Sequence, residues 1–542
     1  MSPTTTYNAA MLSFIEQVNL TTVLDKVYNL LALQGKQGYV VGGFIRDWLL
    51  GKETNDVDIA VDGDAIDTAR KVAQALEGKF VLLDEVNRVA RVVLTKEEQH
   101  CYLDFSSFWG DIVSDLARRD FTMNAMAIEL GQLNVVGMSR SPESFAQGKL
   151  SEGAAKRSQL KLIDPFSGKE DLRDRIVRAV SEQIFESDAV RLLRAVRLAA
   201  ELDFAIEPKT ECLIQRYAQS IAKIPGERVR EELLRLLSLP RAAYRLRYLD
   251  ELGLLLALVP ELRESKGVEQ PTIHFWDVFD HSVETVAAVE FLIRESRWEY
   301  GNEDMLAVAP WSDMLSEHLS REVSHGSNHK ALLKLGALLH DIAKPGTKFL
   351  DAAGRAHFYG HTKQGADMAA VILERLRFSN REINLVESLV YHHLRPFQMA
   401  NQGLPTKRAI YRYFRDTDDA GIDILFLALA DYLATYGPLL DVEEWKEQCR
   451  LIDYILKEYA EQQIKVLPVK LVSGYDLMDA FGLTPGPMIG KLLALVQEAQ
   501  ASGEVATKEK ALALVRSVIL RERSDRGISG EIPRYARKRA IN

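Results

Sequence analysis

Apolar residues in the first third of the chain alternate between helical and strand-like spacing. From Leu20 to Leu31 they recur three and four positions apart, which predicts a helix that ends at Gly35. Further on, the pattern predicts short helices at 44–51 and 64–76 and strands at 39–41, 56–61, 79–84, 88–94 and 101–108. Mixed elements of this length form a sheet covered by helices, so we expect an α/β or α+β fold.

Beyond about residue 165 the apolar spacing becomes almost entirely helical. Proline and glycine residues separate the successive helical segments. This change predicts a small α/β head followed by three mostly helical domains, with boundaries at 1–165, 166–268, 269–440 and 441–542. Two polar stretches interrupt the pattern: 138–159 has a composition typical of disorder, and 297–329 is predicted as a loop or insertion.

The overall composition is that of a globular protein, since 47% of the 542 residues are hydrophobic and 27% are charged. No apolar run reaches the ~20 residues that cross a membrane, and the N-terminus lacks a secretory-signal pattern. The three cysteines, Cys101, Cys212 and Cys449, are far apart, which predicts a reducing compartment and no disulfide framework. We therefore expect a cytoplasmic protein with no membrane partner.

The net charge of −9, taken alone, argues against a nucleic-acid partner. Phosphate binding depends on local groups of basic residues more than on total charge, however. Such groups are present as Arg173, Arg175 and Arg178, as Arg191, Arg194 and Arg197, and as the tail RYARKR at 534–539. Each can bind nucleic-acid phosphates or, alternatively, form a solvated helix face or terminus.

Asp56 and Asp58 stand two residues apart in the strand predicted at 56–61. Residues i and i+2 of a strand share a face, so the two carboxylates lie side by side and raise each other's pKa. A divalent cation removes this repulsion, and Mg²⁺ prefers a few carboxylates together with phosphate oxygens. Asp104, on a later strand, offers a third carboxylate. Together with the Gly-Gly turn that precedes them, these residues predict two-metal phosphoryl transfer.

Five motifs, in order along the chain, resemble those of the nucleotidyltransferase superfamily that bacterial-type (class II) tRNA CCA-adding enzymes and poly(A) polymerases share. They are GGFIRDWLLG…NDVDIAV (42–61), DLARRDFTMNAMA (115–127), DPFSGKEDL (164–172), DAVRLLRAVRLA (188–199) and PGERVREEL (225–233). The ordered match covers about half of the chain, from the first predicted helix to the end of the second domain.

This resemblance implies roles for individual residues. Asp56 and Asp58 would bind Mg²⁺, and Asp104 would be the third metal-binding carboxylate, which activates the 3′-hydroxyl of the primer. The residues implied to bind the nucleotide are Gly42, Gly43, Arg46 and Asp47 at the triphosphate, Arg119, Asp120 and Asn124 at the ribose and phosphates, and Asp188, Arg191, Arg194 and Arg197 on a later helix.

Asp188 and Arg191 carry an independent physical argument for base selection. Residues i and i+3 of a helix share a face. A carboxylate accepts from the exocyclic amine of cytosine or adenine, and a guanidinium donates to the neighbouring ring nitrogen or carbonyl. The pair is similar to the Glu-Asp-x-x-Arg template of the family, except that Ser187 stands where the family usually has Glu. The alternative interpretation is an ordinary ion pair within one helix.

A second set of histidines and aspartates lies between 270 and 435. Neutral imidazoles and carboxylates are good ligands for divalent transition metals. Their order resembles the HD phosphohydrolase superfamily, whose His…His-Asp…Asp ligands correspond to His281, His340, Asp341 and Asp431. The resemblance implies phosphoester hydrolysis by a metal-bound hydroxide, or a fold element without a substrate.

Further histidines surround this set. His361 and either His392 or His393 would complete a second metal or support the first. His274 competes with His281, because the stretch 297–329 makes the spacing from His281 to His340 longer than is usual in that superfamily. The two resemblances together imply an α+β chain: a small nucleotidyltransferase α/β head followed by a mostly α-helical neck that binds nucleotide and RNA, an HD domain and a helical tail.

The function we expect is template-independent transfer of CMP to the 3′ end of tRNA. Relatives that add C, C and A carry a long flexible segment after the third carboxylate, and here only 105–114 separates Asp104 from the next motif. This favours a CC-adding enzyme that contacts the acceptor stem and elbow of tRNA, uses CTP, and depends on a separate A-adding enzyme. Alternatives are a complete CCA-adding enzyme that also uses ATP, a poly(A) polymerase, an HD phosphohydrolase, and an RNA-binding protein with an inactive head.

Overall fold

A computed structural model describes residues 20–136 and 161–525, apart from 53, 97, 98, 272, 401, 402, 465–470 and 502. The segment 138–159 and the basic tail 534–539 lie outside the described residues. The chain divides into two compact units, Met1–Ile224 with Glu251–Leu258, and Pro225–Asp250 with Val259–Asn542. These units are coarser than the four predicted domains, whose boundaries stay predictions.

The first unit holds the mixed sheet and the helices that cover it. Its strands are β1 (Gly38–Val41), β2 (Asp56–Asp62), β3 (Lys79–Asp84), β4 (Val89–Lys96), β5 (Gln99–Phe108), β6 (Ala127–Glu129), β7 (Ile176–Val177) and β8 (Ala205–Ile206). Its helices are α1 (Leu20–Leu33), α2 (Gly43–Leu49), α3 (Ala65–Ala75), α4 (Ile112–Leu116), α5 (Leu130–Val136), α6 (Gly168–Asp174), α7 (Gln183–Ser187), α8 (Val190–Leu202) and α9 (Pro208–Tyr217), with a short helix at Leu254–Leu258.

Six of these strands form one sheet in the order β3-β4-β5-β2-β1-β6, in which β2 and β5 are parallel and the other neighbours are antiparallel. In β2 the apolar residues Val57, Ile59 and Val61 are fully buried, as the alternation predicts. The side chain of Asp64 accepts from two backbone N–H groups and begins α3, which packs against β4 and β5. The structure confirms the predicted α+β class.

The second unit is almost entirely helical. Its helices are α10 (Gly226–Ser238), α11 (Ala242–Glu251), α12 (Val278–Leu292), α13 (Glu303–Val308), α14 (Asp313–Ser320), α15 (His329–Leu339), α16 (Lys344–Thr347), α17 (His361–Arg375), α18 (Asn380–His392), α19 (Arg395–Gln398), α20 (Lys407–Thr417), α21 (Gly421–Tyr436), α22 (Val442–Ile464), α23 (Gly474–Phe481), α24 (Pro487–Ala501) and α25 (Lys508–Asp525). Its short strands are β9 (Glu322–Ser324), β10 (Ser327–Asn328), β11 (Lys348–Leu350) and β12 (Ala356–Phe358).

Of the two interpretations of 297–329, the loop was wrong, because this stretch contains α13, α14, β9 and β10, and the insertion stays a prediction. Asn302 and Ser312 cap the two helices by accepting from the backbone N–H groups of Met305 and Leu315. Both of these apolar residues are buried. Helices of one or two turns hold too few apolar positions to show a period, so the polar composition hid them.

The core of the second unit is built on α21, which packs against α12 and α15. By length and composition, Lys407–Leu439 could cross a membrane, but 72% of its most apolar window is buried within the protein. Burial of this kind is what a helix in a protein core experiences. It also explains why most residues of α21 are apolar, apart from Asp423 and Asp431.

A buried ion pair joins α15 to α12 and α10. Lys334 is fully buried, and its Nζ lies 3.1 Å from a carboxylate oxygen of Glu290 and 2.6 Å from one of Glu295. It also donates to the backbone carbonyls of Leu237 and Leu239, each at 3.0 Å. Glu290 also accepts from the backbone N–H of Ala242, where α11 begins. Lys334 therefore connects three helices through a single ammonium group.

We expect Lys334→Met to lower the free energy of unfolding by about 3–5 kcal/mol, because it leaves the Glu290 carboxylate buried without its cation. Lys330→Met is the matched control, since Lys330 lies one turn earlier and forms a partly exposed pair with Glu295 at 3.3 Å. That pair is worth about 1 kcal/mol or less. Urea unfolding measures both variants, and equal losses would show that Lys334 has no special role.

Candidate active site and metal centre

The parallel pairing of β2 and β5 places Asp58 and Asp104 directly opposite each other, as Cα partners in register. Neighbouring residues in register point to the same face of a sheet, and Asp56 shares that face because it lies two residues before Asp58. The three predicted carboxylates therefore occupy one face of the sheet, with Asp56 and Asp58 near the start of β2 and Asp104 in the middle of β5. Their roles as metal ligands stay predictions.

The surroundings of Asp58 disfavour its ionised form. Burial raises the pKa of Asp58, and the neighbouring carboxylates of Asp104 and Asp56 raise it further. The Arg119 guanidinium and the Gly43 backbone N–H lower this pKa, but the net shift is upward. A divalent cation between the carboxylates would remove the repulsion, so this donor set fits a hard cation such as Mg²⁺.

Arg91 is a member of the site that sequence reasoning missed. It is the Cα partner of Asp104 on β4, and its Nε and Nη2 donate to the two carboxylate oxygens at 2.6 and 2.7 Å. The flanking residues Ala90 and Val92 are buried. The alternation in RVARVVL could therefore have placed Arg91 on the polar face of the sheet, opposite the buried residues.

Gly42 lies between β1 and α2 and packs against the carboxylate of Asp58. Its φ is +72°, and a Cβ built on it would lie 2.7 Å from Oδ2 of Asp58 and 2.8 Å from Nη1 of Arg119. Only glycine adopts this backbone conformation without strain and also leaves room for both side chains. The first glycine of the predicted motif thus sets how closely the backbone approaches Asp58.

A chain of polar contacts connects five of the predicted nucleotide-binding residues. Arg46 donates to both carboxylate oxygens of Asp47, at 2.9 and 2.8 Å, and to Oδ1 of Asn124 at 2.9 Å. Asn124 in turn donates to Asp120 at 3.0 Å, and Nη1 of Arg194 lies 3.4 Å from the other oxygen of Asp120. The structure thus brings residues from α2, the turn after α4 and α8 into one network.

Asp120 is the buried centre of this network. Burial raises its pKa, but Arg194 and the hydrogen bonds from Asn124 and the Phe121 N–H outweigh burial, so the net pKa is lowered. The Asp120 carboxylate is therefore ionised near neutral pH, and its two oxygens orient Asn124 and Arg194.

Asp188 and Arg191 lie close together at the start of α8, with Nε of Arg191 3.9 Å from Oδ2 of Asp188. Nη2 of Arg191 donates to the backbone carbonyl of Arg118 at 3.1 Å, and Nη1 lies 3.5 Å from Oγ of Ser187. The family usually has a Glu at position 187. Here the carbonyl of Arg118 and the hydroxyl of Ser187 contact the Arg191 guanidinium instead. Further along the helix, the buried Arg197 pairs with Glu201 at 2.5 Å.

The second unit gathers the predicted histidines and aspartates into one buried cluster. Nε2 of His281 lies 3.0 Å from Asp431 and 3.2 Å from Nε2 of His340, which is 3.1 Å from Asp341. Nε2 of His361 lies 3.5 Å from Oδ1 of Asp341. Overlapping triads of these residues and His393 could each hold a metal ion. The long spacing from His281 to His340 therefore does not separate the two rings.

Backbone carbonyls orient three of these rings. Nδ1 of His340, His361 and His393 each faces the carbonyl oxygen three residues earlier, at 2.8, 2.7 and 2.7 Å. A carbonyl only accepts, so Nδ1 of each ring carries a proton, and in the rings that are neutral Nε2 keeps its lone pair. Among the described residues, Nε2 of His361 has no hydrogen-bond partner. Fixing the tautomer in this way is what metal-binding histidines require.

Positive groups lie beside the two carboxylates of the cluster. Burial lowers the pKa of His340, but Asp341 and Asp431 outweigh burial and raise it to about 10. The cluster thus retains a positive charge against its two carboxylates, and the Lys344 ammonium contributes another at 2.6 Å from Asp341. Burial lowers the pKa of His393 to about 4, so this ring stays neutral as a ligand must.

The structure also distinguishes the competing histidines. His393 is 1% exposed and belongs to the cluster, while the neighbouring His392 packs against the ring of Tyr391 at 4.7 Å between centroids. The ring of His274 lies beside that of His281, 5.6 Å between centroids, but His281 is the one in a candidate ligand group. Burial lowers the pKa of His274 to about 4.

Comparison with known proteins places these features in a family. Family models match at 38–150 ("Poly A polymerase head domain"), 203–266 ("Probable RNA and SrmB- binding site of polymerase A") and 302–436 ("HD domain"). The A-adding tRNA nucleotidyltransferase of Deinococcus radiodurans is 32% identical over 88% of this chain and 94% of its own. The CC-adding tRNA nucleotidyltransferase of Thermus thermophilus is 32% identical over 89% and 93%.

The chain therefore belongs to the CCA-adding tRNA nucleotidyltransferase family, which confirms the resemblance seen in its motifs, and it is a nucleotidyltransferase with an HD domain. Its fold is also similar to that of the Thermotoga maritima CCA-adding enzyme complexed with tRNA. That likeness has a TM-score of 0.55 at 22% identity and covers 93% of this chain and 96% of the other.

Proposed function

We propose that this enzyme transfers CMP to the 3′ end of tRNA without a nucleic-acid template. The observation that carries the proposal is the register of Asp58 and Asp104 on adjacent parallel strands, with Gly42 against the Asp58 carboxylate. The names of the relatives support tRNA as the acceptor, since they add A, CC or CCA to it.

The residues of the head would divide the work as follows. Mg²⁺, when bound by Asp56, Asp58 and Asp104, would neutralise charge on the transferring phosphate. Asp104 would activate the 3′-hydroxyl of the tRNA, and its pairing with Arg91 orients its carboxylate. The backbone at Gly42 would lie against the triphosphate, where a side chain would already contact Asp58. Holding both reactants in line supplies much of the rate enhancement.

Base selection would rest on Asp188 and Arg191. Asp188 accepts from the exocyclic amine of cytosine, and Arg191 donates beside it, held by the carbonyl of Arg118. UTP presents a carbonyl where CTP has its amine, so it would face the carboxylate and be rejected. The position of Arg191 supports this role even though Ser187 replaces the family's Glu.

We expect Asp188→Asn to lower the preference for CTP over UTP by about 10- to 100-fold, because the amide can both donate and accept. The measurement is kcat/KM for each nucleotide with the same tRNA. Glu186→Gln is the matched control, since Glu186 is one helix position from Ser187 and accepts from the Tyr217 hydroxyl. An unchanged CTP preference in Asp188→Asn would rule out the carboxylate as the selecting group.

The CC-adding specificity, with a separate A-adding enzyme to complete the end, is the finer part of the proposal. Strand β5 runs to Phe108, and α4 begins at Ile112 with the Asp111 side chain capping it, so the segment after Asp104 is short and regularly folded. This leaves little chain for a flexible segment that could reposition the pocket between C and A. Relatives of both specificities match at similar identity, so a direct product assay is needed.

The assay supplies tRNA that ends at the discriminator base, and in parallel tRNA that ends in CC, with CTP, ATP or both, and reads product lengths on a sequencing gel. The proposal expects addition of two nucleotides with CTP and no further extension with ATP. Three added nucleotides would indicate a complete CCA-adding enzyme, a long adenylate tail would indicate a poly(A) polymerase, and extension only of a tRNA ending in CC would indicate an A-adding enzyme.

A phosphohydrolase activity of the second unit is a second candidate function. The observation that favours it is the buried cluster around Asp341, with three histidine rings oriented by backbone carbonyls. We expect Mn²⁺-dependent hydrolysis of bis-p-nitrophenyl phosphate that persists in Asp58→Asn and is lost in His340→Ala. Hydrolysis that survives His340→Ala, or no hydrolysis by the wild-type protein, would exclude this activity for that probe.

A further inference from the structure

A second group of metal-ligating residues lies outside the cluster around Asp341. Nε2 of His318 and Nδ1 of His329 each lie 2.9 Å from the same oxygen, Oδ2 of Asp423. One ligand atom from each residue lies within 4.8 Å of the others. His329 and Asp423 are fully buried, and the His318 side chain is 10% exposed. The three come from α14, the start of α15 and the start of α21.

We propose that His318, His329 and Asp423 bind one divalent transition-metal ion of the Zn²⁺ class. Two imidazoles and one carboxylate are a donor set that Zn²⁺ commonly takes. With metal–ligand bonds of about 2.0–2.1 Å in a tetrahedron, ligand atoms lie about 3.3 Å apart, so each of the two 2.9 Å distances to Asp423 would lengthen by about 0.4 Å on binding the ion.

An unpaired oxygen points to a missing ligand. In the part of the chain that the structure describes, Oδ1 of Asp423 is buried and has no hydrogen-bond partner, although Oδ2 has two. A buried carboxylate oxygen without a partner is costly, and a cation bound by the carboxylate removes that cost. The same oxygen, or a water molecule, would supply the fourth position.

The surroundings of His329 hold the ring in the metal-free state with its proton on Nδ1, because Arg321 can only donate to Nε2. Its Nε2 lies 3.5 Å from Oδ2 of Asp419 and 3.1 Å from Nη2 of Arg321, and these two side chains also pair with each other. A ring that binds metal through Nδ1 carries its proton on Nε2 and donates it to a carboxylate. Metal binding would thus replace the Arg321 contact by a hydrogen bond to Asp419.

This site is distinct from the cluster around Asp341. His329 and His340 stand at opposite ends of α15, about 16 Å apart along its axis at 1.5 Å per residue. Asp423 and Asp431 are about 12 Å apart along α21 by the same measure. The ion would clamp α14, which belongs to the stretch that looked like a loop in the sequence, onto the two helices that carry ligands of the other cluster.

The test measures bound metal in the full-length protein. Wild-type protein and variants are stripped with a chelator, dialysed against Zn²⁺ and assayed by elemental mass spectrometry. We expect His318→Gln to bind one equivalent less than the wild type, because the glutamine amide can still donate to Asp423 but is a poor metal ligand. His325→Gln is the matched control, since His325 is exposed in the same stretch, and it should bind as the wild type does.

A second readout separates a metal site from a hydrogen-bonded triad. Co²⁺ bound by nitrogen and oxygen ligands absorbs visible light. The visible absorbance per molecule of Co²⁺-loaded protein should be higher in the wild type than in His318→Gln, by the absorbance of one Co²⁺ ion. Equal metal content and equal Co²⁺ spectra in these two proteins would overturn the proposal and leave a hydrogen-bonded triad. If His318→Gln does not fold, Asp423→Asn decides the question by the same two measurements.

Discussion

Replacing Asp58 with asparagine is expected to lower nucleotidyl transfer by about 10³-fold or more while tRNA binding is unchanged. The substitution keeps the side-chain volume but removes the carboxylate that faces Asp104 across the parallel pair of strands. Without it, the remaining carboxylates cannot hold the cation that balances the phosphate charge, and electrostatic stabilisation of this kind is usually the largest contribution to the rate. Incorporation of labelled CMP measures transfer, and a filter assay measures tRNA binding.

Asp62→Asn is the matched control for this experiment. Asp62 ends the same strand, is exposed, and lies on the same face about 13 Å from Asp58 at the usual strand rise. It should retain transfer close to the wild-type rate. If Asp58→Asn also retained it, the carboxylate would not be essential and the proposed role of the head would be abandoned. Parallel loss of tRNA binding would instead indicate that the substitution unfolds the head.

The predicted strands of the head agree with the structure to within a residue or two, and 79–84 agrees at both ends. Strand alternation is strong in this region because one side of β2 is buried and the other carries Asp56 and Asp58. Short capped helices are different: α13 and α14 are held by Asn302 and Ser312 and by a few buried apolar residues. Their signal is local capping and not a period, so the sequence pattern alone indicated a loop.

In the candidate site, too, the sequence predicts some features and not others. The spacing of Asp56 and Asp58 predicts a shared face, but it does not predict which strand lies beside β2 or that Asp104 would be in register with Asp58. The separate antiparallel register of β4 against β5 brings Arg91 to Asp104, which the sequence also does not predict. Pairing between strands depends on the whole sheet, and one sequence does not specify it.

In the second unit, only the packing of the folded chain distinguishes the candidate ligand histidines from the others. The adjacent His392 and His393 are equivalent as ligands in the sequence, and burial of His393 next to Asp341 distinguishes them. The group of His318, His329 and Asp423 was invisible for another reason. Its members are far apart in the chain, and His318 lies in a stretch whose helices the pattern did not predict.

Gly42→Ala is expected to lower kcat/KM for CMP transfer by about 10²-fold or more while leaving the protein folded. Gly42 has φ +72° and ψ −141°, a conformation that is open almost only to glycine. A methyl group there would lie 2.7 Å from Oδ2 of Asp58 and 2.8 Å from Nη1 of Arg119. At least one of these groups must move, and a displacement of this order at a catalytic group costs about 10²-fold. The strain should lower the free energy of unfolding by about 1–3 kcal/mol.

Gly35→Ala separates loss of stability from loss of the site. Gly35 also has a positive φ, +65°, but a Cβ there would meet nothing within 4 Å, and the residue lies in the turn before β1. It should cost stability and leave transfer per folded molecule unchanged. Steady-state kinetics with CTP and urea unfolding of both variants decide the matter. If Gly42→Ala matched Gly35→Ala in both measurements, the close approach of the backbone to Asp58 would have no catalytic consequence, since strain alone would account for everything observed.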